Sequence, residues 1–76
     1  MYRVTTLDLH GEKYEDALEK VEKFIDSQFF SNPGQMIKII TGHGVIKPQA
    51  KEIILNHSLV KECKDKNGAF LILLSD

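Results

Sequence analysis

Between Val4 and His10, apolar and polar residues alternate, with Leu7 and Leu9 on one side of an extended segment and Asp8 and His10 on the other. Period two predicts a half-buried strand, which Gly11 ends. The period then changes. Tyr14, Ala17, Leu18, Val21, Phe24, Ile25 and Phe29 recur at helical spacing, with Glu15, Asp16, Glu19, Lys20, Glu22 and Lys23 on the other side. This predicts an amphipathic helix of about four turns. Glu12, Glu15 and Asp16 suit the positive end of its dipole, whereas Lys13 is a poor N-cap. Ser31-Asn32-Pro33-Gly34 is a stop and a turn. Met36 to Ile40 reads as a second strand, ending in Thr41-Gly42-His43-Gly44. Pro48 fits the first turn of a second helix, whose inner stripe is Ala50, Ile53, Ile54 and His57. Leu59 to Asp65 is a weaker third strand, Asn67-Gly68 a two-residue hairpin turn, and Ala69 to Leu74 a fourth strand.

The order is therefore β-α-β-α-β-β. Phe70 to Leu74 is apolar at every position, as expected of a central strand. Two right-handed crossovers in the same direction place both helices on one face of the sheet. The expected fold is a two-layer α/β (α+β) sandwich with Val21, Ile25, Ile39, Ile54 and Ile72 in one core. The second face is left without helices. Leu71 and Leu73 lie on it either as a strip for a protein partner or under the side chains of neighbouring strands.

Composition narrows the picture. The sequence has 76 residues, 42% hydrophobic and 28% charged, which suits one small globular domain over residues 1–76 and argues against disorder. A formal net charge of −1 gives no bulk attraction to nucleic acid or membrane, so any polyanion site must be a local basic patch. Cys63 is the single cysteine and reads as a small apolar filler; no Cys/His spacing supports structural zinc. No charged-then-apolar leader and no long apolar run is present, and the expectation is a cytoplasmic domain without membrane contact.

Chemistry gathers at the strand ends. If the first two strands run parallel, Leu7-Asp8-Leu9-His10-Gly11 and Thr41-Gly42-His43-Gly44 lie at one sheet edge, where open α/β sheets collect ligands. That brings Asp8, His10 and His43 toward one spot. The glycines around His43 leave backbone N–H groups at a helix N-terminus, an arrangement that favours phosphate, and Lys47 could add a charge-assisted contact.

These residues also carry a resemblance. Leu-Asp-Leu-His-Gly, a helix opening Glu-Asp-Ala-Leu, and a Gly-x-Gly loop after an isoleucine-rich strand look like the Smr (small MutS-related) domain, over Thr6 to about Leu74. The resemblance implies a fold like the C-terminal domain of translation initiation factor three. It implies a mixed four-stranded sheet with the last strand inserted between the second and third. It further implies nicking or structure-directed cleavage of DNA, or endonuclease action on RNA. Asp8 and His10 match the first motif; Thr41, Gly42 and Gly44 match the loop. Many members have His-Gly-x-Gly, whereas here Thr41 takes the first position and the histidine is His43.

Each candidate has two roles open to it. Asp8 either accepts hydrogen bonds from the glycine loop, or acts as a general base or metal ligand. His10 either caps the turn, or transfers protons and contacts phosphate. His43, on an exposed loop with little to pack against, either faces a ligand or is structural; Lys47 is either a solvated lysine or a phosphate contact. Two functions follow. One is a metal-assisted phosphodiesterase with catalytic Asp8, His10 and His43, a phosphate-holding Thr41, Gly42, Gly44 and Lys47, and Mg²⁺ or Mn²⁺ but no organic cofactor. The other is a non-catalytic module gripping nucleic acid or a protein through the same edge.

Overall fold

The computed structural model describes residues 4–31, 33–42 and 44–75. Its elements are β1 (Thr5–Asp8), α1 (Tyr14–Ser31), β2 (Met36–Ile40), α2 (Ile46–Asn56), β3 (Val60–Lys66) and β4 (Ala69–Leu74). They form one four-stranded sheet in the order β1-β2-β4-β3. β1 pairs parallel with β2, and β4 pairs antiparallel with both β2 and β3. The last strand is thus inserted between the second and third, and the fully apolar β4 is central.

β3 is shifted by one residue from the expected Leu59–Asp65 and β1 starts at Thr5 rather than Val4; two further boundaries differ more from the pattern in the sequence. β1 stops at Asp8, because the chain turns at His10 and Gly11, with Gly11 at φ 83°. Leu9 is outside the strand and yet donates its N–H to the Ile40 carbonyl at 2.8 Å, which carries the β1–β2 ladder one step further. α1 has 18 residues, about five turns rather than four. Its first hydrogen bond runs from the Ala17 N–H to the Lys13 carbonyl, so the residue at the cap is indeed the unfavourable Lys13. Lys20 reaches back to pair with Glu12 just ahead of the helix.

Register assigns the two faces. Ile37 stands opposite Ile72 and Ile39 opposite Phe70, and all four are fully buried. With Leu9 and Leu74 they pack against Ala17, Val21 and Ile25 of α1 and Ala50 and Ile54 of α2 in a single cluster. All five residues expected in the core are in it. Phe24, Phe29 and Cys63 pack against its margin, while Phe30 is 84% exposed. Both helices therefore cover one face. The other presents Thr6 and Asp8 of β1, Met36, Lys38 and Ile40 of β2, Leu71 and Leu73 of β4, and Glu62, Lys64 and Lys66 of β3. Among the described residues no helix is long and apolar enough to cross a membrane.

Candidate functional site

The parallel pairing of β1 with β2, in which Asp8 stands beside Ile40, sets the site. Thr41 and Gly42 follow Ile40 directly, so the Asp8–Gly11 turn and the 41–44 loop leave the sheet at the same edge. Asp8 projects from the open face and is exposed; its Oδ1 accepts the His10 N–H at 2.8 Å. This bond closes a small turn and fixes the backbone at His10, whose own side chain is exposed. The second oxygen of Asp8 has no donor among the described residues.

The loop after β2 is anchored from an unexpected direction. The Gly68 carbonyl, in the β3–β4 turn, accepts the N–H groups of Thr41 at 3.0 Å and Gly42 at 2.9 Å, with the Thr41 hydroxyl at 3.5 Å. Thr41 is buried, as a residue spending its polar groups this way must be. The two amides are therefore committed to the fold and are not offered to a ligand. Sequence patterning marked Asn67-Gly68 as a hairpin turn, and it is one, with φ of 43° and 88°. Its second task as the loop's anchor had no local signal, because the acceptor and donors are far apart in the chain.

The glycines divide by backbone. Gly42 is left-handed at φ 74°, a conformation costly for residues with a Cβ. Gly44 has no such constraint, and a Cβ there would meet nothing within 4 Å. Among the described residues, no contact demands glycine at 44. His43 lies outside the described residues.

Lys47 is not poised over the loop. Its Nζ pairs with Asp65 Oδ1 at 3.2 Å, and Asp65 stands opposite Phe70 on the helix-covered side. The structure thus groups Asp8 and His10 with the glycine loop at one edge and ties Lys47 to β3. His57, placed by the sequence on the inner stripe of the second helix, accepts the Leu59 N–H on Nδ1, and its Nε2 lies 3.2 Å from Asp26 Oδ1, which sets α2 beside α1 away from this edge. Among the described residues, no three His, Cys, Asp or Glu side chains converge in a way that could hold a metal ion.

Comparison with known proteins bears on this edge. The Smr domain family profile matches residues 7–75, which includes both motifs. The chain is 41% identical over 61 residues to an "Endonuclease MutS2" of Shouchella clausii, covering 78% of this chain and 8% of that protein. An "Endonuclease MutS2" of Listeria welshimeri is 39% identical over 59 residues, covering 76% and 8%. The chain therefore spans a small fraction of the length of these relatives. In structure it resembles the SMR domain of NEDD4-binding protein 2, with a TM-score of 0.74 and 26% identity, covering 100% of this chain and 91% of that one.

Proposed function

This chain belongs to the Smr domain family, and from that footing we propose that it binds nucleic acid at the Asp8–Gly44 edge and cleaves a phosphodiester bond there. The observation that carries the reading is the parallel β1–β2 pairing, which sets exposed Asp8 and His10 beside a glycine loop whose Gly44 leaves room for a phosphate. The name endonuclease on the MutS2 relatives belongs to proteins many times longer, and it supports the reading without carrying their substrates over.

In this reading the imidazole of His10 takes or gives the proton that phosphodiester cleavage must move. Asp8 fixes the backbone that carries it through the Oδ1 bond to the His10 N–H and keeps one carboxylate oxygen for the substrate side. Gly44 admits the phosphate. His43 enters the proposal from its place between the loop glycines alone. Among the described residues no group of three His, Cys, Asp or Glu side chains could hold Mg²⁺ or Mn²⁺ as a resident ion. Such an ion would come with the substrate's phosphates.

The test is incubation of the chain with labelled single- and double-stranded DNA and RNA, with Mg²⁺, with Mn²⁺ and with chelator. Cleavage by the parent, reduced about 100-fold or more in Asp8→Asn with melting temperature unchanged, is the expected result. The amide keeps the acceptor for the His10 N–H and loses the charge. A second reading is favoured by that same hydrogen bond: Asp8 only ties the turn, and the edge binds without cutting. Binding without cleavage of any of the four substrates under any condition would decide for it.

A further inference from the structure

We propose that the uncovered face of the sheet is a track for single-stranded nucleic acid, gripped by Lys38, Lys64 and Lys66 and leading to Asp8. This rests on the nucleic-acid reading above and extends it to a surface outside both motifs. The strand registers lay this face out in rows. Nearest the site runs Asp8–Ile40–Ala69–Lys66, next Thr6–Lys38–Leu71–Lys64, and farthest Met36–Leu73–Glu62. The lysines occupy the two rows nearest Asp8, and the acid Glu62 sits in the farthest. Lys38 and Lys64 flank Leu71 two strands apart, about 10 Å. None of the three lysines has a carboxylate within ion-pairing distance among the described residues, whereas Lys20, Lys23 and Lys47 are paired.

Charge makes the face a directional choice for a polyanion. The exposed side of α1 carries five acidic residues against two lysines, and the open face three lysines against Asp8 and Glu62, so α1 repels phosphate while the opposite face attracts it. The formal net charge of −1 conceals this separation. Between the lysines, half-buried Leu71, Leu73 and Ile40, with Met36 41% exposed, form an apolar strip. Exposed bases can lie on such a strip, and only unpaired strands expose them. The strip is aliphatic, so contact is apolar rather than by ring stacking, and little base preference is expected. An acidic protein would match the lysines equally well. It has no reason to share a face with Asp8, which the track requires.

The test uses the whole chain, by ¹⁵N NMR and by fluorescence anisotropy against salt. The probes are 12-residue oligouridine and oligothymidine, a duplex of the same length, and poly-glutamate. Shifts of the Lys38, Lys64, Lys66, Leu71 and Leu73 amides with either oligonucleotide, and none along Glu15–Asp26, are expected; the two oligonucleotides distinguish RNA from DNA. The Lys38→Gln, Lys64→Gln, Lys66→Gln variant should bind about tenfold or more weakly at low salt, with its log–log salt slope reduced by about 2. Unchanged affinity and slope in that variant would overturn the track and leave the edge reading standing. Failure of the parent to bind any nucleic acid would end both. Tighter binding of the duplex, or a stronger response of the same amides to poly-glutamate, would also overturn the track. Should the triple variant fail to fold, the amide footprint of the parent decides.

Discussion

β2 and β4 each present two unlike faces. Toward the helices they show Ile37, Ile39, Phe70, Ile72 and Leu74, none more than 1% exposed; on the other side the same strands show half-buried Lys38, Ile40, Leu71 and Leu73, with Met36 exposed and only the small Ala69 buried. Consecutive residues of one strand thus meet different selection. The covered face is constrained by packing, where each lost methylene leaves a cavity that the surroundings only partly close. The open face is packed only in part, by the side chains of neighbouring strands. An apolar residue in β4 is therefore not evidence of core, and its parity along the strand is what counts.

The largest effect that could break this contrast is on stability. Phe70→Ala should cost about 3–5 kcal/mol, a large share of what a small domain has. Leu71→Ala, one residue away on the open face, should cost about 1 kcal/mol or less in line with its partial burial. Chemical denaturation of the two variants checks this, and equal midpoints would mean that the open face is packed as well.

A smaller effect separates the two loop glycines. Gly42→Ala forces a Cβ into a left-handed residue and should destabilise by about 1–2 kcal/mol. Gly44→Ala should leave the melting temperature where it was, because its Cβ meets nothing. If phosphate approaches there, the same Gly44 variant should nevertheless bind nucleic acid more weakly in anisotropy titrations. Parent-like binding by Gly44→Ala would remove the loop from the proposed site.

The smallest effect is on a thiol. Cys63 stands opposite Ile72 on the covered side, and burial pushes its pKa above the ordinary cysteine value. Since the thiolate is the reactive form, alkylation by iodoacetamide should stay slow through neutral pH and rise only at a pH above that of a free cysteine. In a Lys64→Cys variant the introduced thiol, on the open face, should react at the ordinary pH. Equal rates at the two positions would erase the distinction between faces for β3.

Periodicity determined much of this protein by itself. The six elements, the five core residues and the Asn67-Gly68 turn follow from spacing, because a helix or strand can bury only one stripe of its own side chains; the shared edge of the two motifs followed only on the condition that β1 and β2 pair parallel, as they do. The position of β4 in the sheet came with the Smr resemblance, supported by its apolar run. The boundary at His10 escaped, since alternation continues through a residue that the backbone has already turned away from the strand, and so did the full length of α1, which runs on to Ser31.

What only the tertiary structure decided is how the site's groups are shared out. The amides of Thr41 and Gly42 are bound to Gly68, Lys47 is bound to Asp65, and Asp8 shares its face with Lys38, Lys64 and Lys66. Each of these is a pairing between residues distant in the chain. A sequence lists donors, acceptors and charges one at a time. Which of them are already satisfied depends on strand register and on where loops meet, and those are settled only when the apolar faces close on one another.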